Sequence, residues 1–566
     1  MKQSSILVYG LMAVGLLGII GFSLFYILSS HAHLVDWYKG LNSCFYRNAT
    51  WDTEFFNPRI KKDGNMYCGI AMAVAGYGLF HIYRKLKFRQ EQTVTSLVPE
   101  LFSSSLKDTI PLLASLVSAF ALWYWGFKTA LPAYDEVFSA QNAAGIHPFQ
   151  CVSFYMLPNN HLFFNLLNSF FFSSFTDKVI SGRIISLIAY LGFAKMMYFW
   201  GRSVFNSRWL ASLLSGVLCS QFMVWGFASQ ARGYEIYLLA EIGLVLTTLN
   251  YITTGKGFMK YINTASIAIG YFCMPSFMYM HLACMIVYGI NQLANKHKDN
   301  TFWKAQLAGM LLVFLCYLPA LCFSGLDFIA HNNYVSPMKF KTTYAFGEWM
   351  YTNFFIYINH IFSDLNIGQF HLGYIFFLTP CLMVFARKNK TISLAGGFYI
   401  AMWLNFFIVA LKMKRLPFER NLIGHYSLTL YCNVLLIYWL ASITLGKIKH
   451  LKITVFSIIL VITGVYFIAT NQTLQKETLY EYDVNGRYEF ISKGLEYIPN
   501  GSTVACSDEG FYYGYICLKH GCKLSKCPTG NEDYFVKPCF EDLPHIIAKY
   551  YNEPHIIYDY SVYKHK

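Results

Sequence analysis

Of the chain's 566 residues, 55% are hydrophobic, 18% aromatic and only 13% charged. Soluble domains carry roughly 25% charge, so this composition excludes a wholly soluble chain and leaves a polytopic membrane protein. A formal charge of +15 would point to nucleic acid in a soluble protein, but here the basic residues stand in short clusters between apolar runs. Membrane topology accounts for them, and no nucleic-acid partner is implied.

The N-terminus, MKQSSILVYGLMAVGLLGIIGFSLFYILSS, has a basic start, a long apolar core and no clear small-residue cleavage site. It reads as an uncleaved first span. By length, about thirteen transmembrane helices are predicted, over 5–29, 67–84, 109–131, 179–201, 208–228, 233–253, 261–275, 276–292, 304–324, 372–386, 394–411, 421–444 and 452–470. The short pair 261–275 and 276–292 meets at Pro275 and is also readable as one broken unit. With a cytoplasmic N-terminus, the clusters Arg84-Lys85-Lys87-Arg89, Arg202 with Arg208, Lys256 with Lys260, Lys296 with Lys298, Arg387-Lys388-Lys390 and Lys447 with Lys449 all fall inside. The loops 132–178 and 325–371 and the tail from 471 then face outward. Three parts follow: residues 1–108 with two spans and an outer loop, a transmembrane body over 109–470, and a small soluble α/β domain over 471–566.

That tail carries strand-like runs at Ser502–Cys506 and His555–Tyr558 and a helical stretch from Asp542 to Tyr551. Cys506, Cys517, Cys522, Cys527 and Cys539 gather there, which suggests at least one disulfide; zinc is the weaker alternative because no CxxC pair is present. Cys44 and Cys68 suggest a similar staple in the 30–66 loop.

The chemistry centres on YDEVFSAQNAAGIHPFQCVSFYMLPNNHLFFNLLNSFFFSSF, residues 134–175. Asp135 and Glu136 sit where a span ends, a costly place for carboxylates unless they line an aqueous cavity. The alternative is that they cap the next helix, where negative charge meets the helix dipole. Pro158-Asn159-Asn160-His161 then opens a second helix, on which His161, Asn165 and Asn168 recur at i, i+4 and i+7. This polar stripe is expected to lie along the membrane surface beside a wet cavity. Two outward turns break the side bias of the basic residues: Ser229-Gln230-Ala231-Arg232-Gly233-Tyr234 and Lys412-Met413-Lys414-Arg415-Leu416-Pro417-Phe418-Glu419-Arg420. Arginine forks match phosphate oxygens, and these turns lie at headgroup depth. Binding of ordinary anionic lipid headgroups is the alternative reading. A carboxylate that takes a proton beside cations that hold a departing phosphate is the arrangement for group transfer from a lipid-phosphate sugar.

The acidic pair after a span, the Asn-Asn-His helix, the Ala-Arg-Gly-Tyr turn and the Pro-x-x-Arg before a late span resemble the GT-C superfamily of integral-membrane glycosyltransferases. Protein O-mannosyltransferases and the aminoarabinose transferases of lipid A modification belong to it. The resemblance implies an inverting transfer from a polyprenyl-phosphate sugar donor to an acceptor hydroxyl on a glycan, lipid or protein, at the extracytoplasmic face of a bacterial inner membrane. It implies Asp135 as base with Glu136 as its partner, and the family's histidine at His161, with His147 competing. Asn160, Arg232, Tyr234, Lys414, Arg415 and Arg420 would join His161 around the donor phosphate. The residues identify no cofactor, and the resemblance allows a divalent metal. Some relatives use a divalent metal, and the acidic loop here has no Asp-x-Asp. A transporter or flippase of lipid-linked saccharides, for which Glu241 inside a span speaks, and a polymerase or ligase are the alternatives.

Overall fold

The computed structural model describes residues 2–41, 51, 56–87, 105–155, 160–171, 177–255, 258–295, 300–330, 338–362, 373–386, 389–444, 449–474, 497–507, 511–525, 529–539, 543, 548–557 and 560–566. In chain order its α-helices are α1 (Lys2–Leu28), α2 (His31–Gly40), α3 (Pro58–Lys87), α4 (Thr109–Thr129), α5 (Tyr134–Ser139), α6 (Pro148–Ser153), α7 (Leu162–Phe171) and α8 (Lys178–Phe205). They continue with α9 (Arg208–Cys219), α10 (Phe222–Ala228), α11 (Tyr234–Thr254), α12 (Met259–Cys273), α13 (Met278–Ala294), α14 (Thr301–Phe323) and α15 (Leu326–Ala330). The last are α16 (Thr343–Ile361), α17 (Gly373–Leu378), α18 (Lys390–Met413), α19 (Ile423–Thr444), α20 (Lys449–Leu474) and α21 (Phe511–Lys519).

Ten helices among the described residues are long and apolar enough to cross a membrane, and α9 with α10, bent by 74° at their junction, reaches that length and hydropathy only as a pair. The other two expected segments are helical but short: α12, and the stretch Gly373–Phe385. All thirteen expected segments therefore fold as helix, in a multi-pass integral membrane protein. The most enclosed span is α11, which packs on α8, α12, α13 and α19.

Two ion-pair clusters fix α4 against α8. At one end, buried Asp108 accepts from Arg202 Nη1 (2.5 Å), Arg208 Nε (3.0 Å) and Tyr198 Oη (3.0 Å). At the other, Arg183 on α8 holds Glu136, just past the end of α4, at 2.6 Å.

The C-terminal domain is α/β, as expected. Strands β3 (Thr503–Cys506), β4 (Lys523–Ser525), β5 (Tyr534–Pro538), β6 (His555–Ile557) and β7 (Tyr560–Lys564) form a sheet in the order β4-β3-β5-β7-β6. β3 is parallel to β4 and β5, with α21 crossing between β3 and β4; β7 is antiparallel to β5 and β6. A separate ribbon pairs β1 (Met338–Lys339) with β2 (Arg415–Leu416). Half of the helix expected over Asp542–Tyr551 lies outside the described residues, and its last residue, Tyr551, bridges to His565. Cys506, Cys517, Cys522 and Cys539 form no disulfide among the described residues. Cys527 and Cys44 lie outside the described residues.

Candidate active site

The two adjacent acids divide the two readings open to them. Glu136 is fully buried and saturated with donors: Arg183 Nε at 2.6 Å, Arg183 Nη2 at 3.0 Å, the Ala231 N–H at 2.7 Å and the Ala133 N–H at 3.1 Å. The last closes the first turn of α5 in the capping-box manner, with the acid at the positive end of the helix. Arg183 Nη1 also donates to the Ala130 carbonyl at 3.2 Å. Glu136 thus ties together the end of α4, the start of α5, α8 and the turn before α11. With its acceptor positions taken by these four N–H groups, it is engaged within the protein.

Asp135 faces the other way. Its carboxylate, 39% exposed, lies 3.2 Å from Arg232 Nη1 and 3.7 Å from Arg420 Nη1. Three segments far apart in sequence therefore meet at one carboxylate. Arg232 is almost wholly buried; its Nη2 donates to the Tyr234 hydroxyl at 3.3 Å, and its guanidinium lies over the Tyr234 ring. Arg420 is more open and rests over Phe418 at 4.5 Å.

Two glycines make this convergence sterically feasible. A Cβ on Gly182 of α8 would come 2.5 Å from the Ala231 Cβ, so the missing side chain lets the Ala231 N–H reach Glu136. A Cβ on Gly233 would come 2.8 Å from the Cβ of His161. Ser186 of α8 donates to the carbonyls of Gln230 (2.7 Å) and Arg232 (3.1 Å), fixing the backbone of the same turn.

His161 lies edge-on to Tyr234, with ring centroids 4.9 Å apart. Burial holds its imidazole well below the ordinary histidine range, and the charges of Arg232 and Arg420 push the same way, so it is neutral at pH 7. The polar stripe does not face a wet cavity, and that expectation is corrected: His161, Asn165 and Asn168 are all buried. Asn165 donates to Asn160 Oδ1 (2.9 Å), and Asn168 donates to the Lys178 carbonyl (2.8 Å) and accepts from Ser181. Asn168 ties α7 to α8, whereas both ring nitrogens of His161 and the Asn165 Oδ1 are buried without a hydrogen-bond partner among the described residues. Asn160 is likewise engaged internally, donating to the carbonyls of Cys151 (3.2 Å) and Phe154 (2.9 Å). Pro158 and Asn159 lie outside the described residues. His147, the competing histidine, caps α6, its Nδ1 accepting from the Phe149 N–H.

Lys414 and Arg415 are not brought to Asp135. Lys414 takes the left-handed conformation that ends α18 and reaches the Lys341 carbonyl at 3.4 Å, while Arg415 pairs with Lys339 in the β1–β2 ribbon. Both belong to the strap joining the 338–341 segment to the turn that presents Arg420. A second tie to that turn is His360 of α16, whose Nδ1 lies 3.4 Å from Glu419. The Glu419 contact raises the His360 pKa above its ordinary 6.5 despite partial burial. A raised pKa means this tie is complete below about 6.5 and is lost as pH rises through the higher folded value. In an NMR titration the His360 imidazole is expected to show a midpoint above about 6.5 that falls on Glu419→Gln.

Residues that sequence reasoning passed over complete the frame. Arg183, the partner of Glu136, is one. The others belong to α21, which docks the C-terminal domain on the acidic turn: Tyr512 donates to the Pro132 carbonyl at 2.8 Å and its ring lies near Tyr134. Lys519 and Tyr515 contact Asp177, which caps α8 by accepting from the Val179 N–H at 3.0 Å. Tyr512→Phe removes one such bond, a net effect of about 0.5–1.5 kcal/mol. Amide exchange over residues 132–136 is therefore expected to speed up by about 2- to 12-fold, with exchange in α11 unchanged; equal exchange in both proteins would show that the docking does not brace the turn.

Among the described residues no group of three or more His, Cys, Asp or Glu side chains is placed to hold a metal. Fold and site together define a multi-pass membrane protein with a carboxylate and two guanidinium groups converging at one end of its bundle. No family model matches the chain, and no curated protein matches its sequence. Among solved structures it is similar to the crystal structure of ArnT from Cupriavidus metallidurans bound to undecaprenyl phosphate, at 10% identity, with 80% of this chain and 97% of that chain covered and a TM-score of 0.45.

Proposed function

We propose that the chain is an inverting glycosyltransferase that moves a sugar from a polyprenyl-phosphate donor to an acceptor hydroxyl at the extracytoplasmic rim of the membrane, as its resemblance to the GT-C superfamily implies. The observation that supports this reading is the meeting of Asp135 with Arg232 and Arg420. A hydroxyl is a poor nucleophile and needs a base within hydrogen-bond reach; Asp135, the one of the two acids left partly open, fills that role. The bond from the acceptor oxygen to the anomeric carbon forms as the bond to the lipid phosphate breaks, and the proton passes to Asp135. Arg232 and Arg420 hold the departing phosphate, whose charge grows in the transition state. The phosphate competes with Asp135 for these guanidinium donors, so donor binding frees the carboxylate to accept from the hydroxyl.

Tyr234 and neutral His161 back Arg232 from the buried side. Glu136 acts through position, holding the Asp135 turn against the Arg232 turn. Purified protein incubated with a radiolabelled panel of polyprenyl-phosphate sugars is expected to release or transfer sugar. In Asp135→Asn that turnover should disappear. Scrambling of lipid-linked saccharides in vesicles that survives Asp135→Asn, without sugar transfer, would assign a flippase instead.

A further inference from the structure

Helices α1 and α3 join the rest of the bundle across a buried aromatic seam built on Tyr26, Tyr38, Trp51 and Phe323, a cluster separate from the main core. In that seam the Sγ atoms of Cys68 on α3 and Cys322 on α14 lie 3.6 Å apart, though 254 residues separate them in sequence. Both side chains are fully buried. The backbones around them are pinned: Tyr26 Oη donates to the Cys322 carbonyl at 2.8 Å, and Trp51 Nε1 donates to the Phe323 carbonyl at 3.1 Å. The two thiols therefore face each other through a fixed register rather than a chance approach. Lys61 stands two turns before Cys68 on the same face of α3, buried, with its ammonium donating to the Tyr26 carbonyl at 2.7 Å.

We propose that Cys68 and Cys322 are joined as a disulfide in the mature protein, a covalent link between α3 and α14. Formation begins when the thiolate of one cysteine attacks the disulfide of an oxidising thiol–disulfide exchange protein. The second thiolate then resolves the mixed disulfide. One S–S bond forms in this chain as the partner's S–S bond breaks, and the two electrons and two thiol protons pass to the partner, which becomes a dithiol. Closing the link needs the sulfurs to approach by about 1.5 Å, to the disulfide length of about 2.05 Å. Exchange precedes closure of the seam, because the closed seam admits no partner. Once made, the bond is sealed from reductant by the same burial. Both cysteines lie toward the bundle end that carries Asp135: Cys322 is next to Phe323 and Ser324, and Ser324 accepts from the Tyr155 N–H and donates to the Ser153 carbonyl. The proposal thus rests on the proposed function only in placing that end on the oxidising side of the membrane.

The test is alkylation of the full chain, denatured without reductant, followed by proteolysis and mass spectrometry. The expected result is loss of alkylation at both Cys68 and Cys322 with recovery of one peptide pair linked through them, released by reductant. Cys68→Ser should make Cys322 fully alkylatable without reductant. Should Cys68→Ser fail to accumulate, the wild-type peptide map decides alone. Full alkylation of both cysteines in the unreduced wild type overturns the proposal. Sugar transfer measured on the same preparation separates the two readings: active protein with two free thiols sinks the disulfide alone, and linked but inactive protein sinks the transferase alone.

Discussion

Glutamine in place of Glu136 is expected to destabilise the fold by about 3–5 kcal/mol, the cost of leaving a buried guanidinium without its counter-charge. Glu136 is fully buried and Arg183 is 5% exposed, so little solvent screening is available to soften the loss. Glutamine keeps the volume but presents an amide N–H₂ where donors already point, from Arg183, Ala231 and Ala133. Thermal unfolding of the purified protein in detergent measures the effect. The paired change Glu136→Gln with Arg183→Met should recover much of the loss, since it removes the stranded charge as well as its partner. If the double variant is no more stable than Glu136→Gln alone, the cost comes from lost packing and not from the unpaired cation.

Asp135→Asn is expected to act in the opposite sense, with a large loss of turnover and a much smaller effect on folding. Removing a general base typically lowers rate by about 100- to 10,000-fold. Asn keeps the size of the side chain, Asp135 is 39% exposed so that solvent screens part of the lost pairing with Arg232, and the buried Glu136–Arg183 tie still holds the turn. Turnover per folded molecule is the decisive quantity, with Asp135→Glu as the control that restores a carboxylate at a displaced position. Sugar transfer by Asp135→Asn within a few-fold of wild type would remove Asp135 from the chemistry.

Much of this arrangement was legible before any fold was known, for reasons that differ from residue to residue. The thirteen segments are apparent because apolar length is a local property that no distant contact overrides. Arg232 and Arg420 stood out because they break the side bias that other basic residues obey. Arg183 is harder to read for the converse reason: inside the 179–201 segment two charges, Arg183 and Lys195, disappear into a hydropathy average, although an intramembrane arginine already asks which acid it serves. The His161, Asn165 and Asn168 stripe shows how far periodicity reaches. It identifies a helix face correctly but not whether water or protein lies against it, and here α8 does. Lys414 and Arg415 share the composition of a phosphate clamp and differ from Arg420 only in where a left-handed residue and a two-residue ribbon turn them. The docking of Tyr512 on Pro132 spans 380 residues and leaves no local trace in either segment.

The two clasps that fix α4 against α8 stand on opposite ends of one helix, at Arg183 and Arg202. Nineteen residues of α8 separate them, about 28 Å at a rise of 1.5 Å per residue, close to the roughly 30 Å of a hydrocarbon layer. Most helix pairs can slide past each other to suit a thinner or thicker bilayer, but this pair is a rigid ruler, clamped at both marks. A mismatched membrane must therefore be met by tilting the whole pair or by deforming the surrounding lipid, and whichever occurs, the height of the carboxylate above its partner helix stays the same.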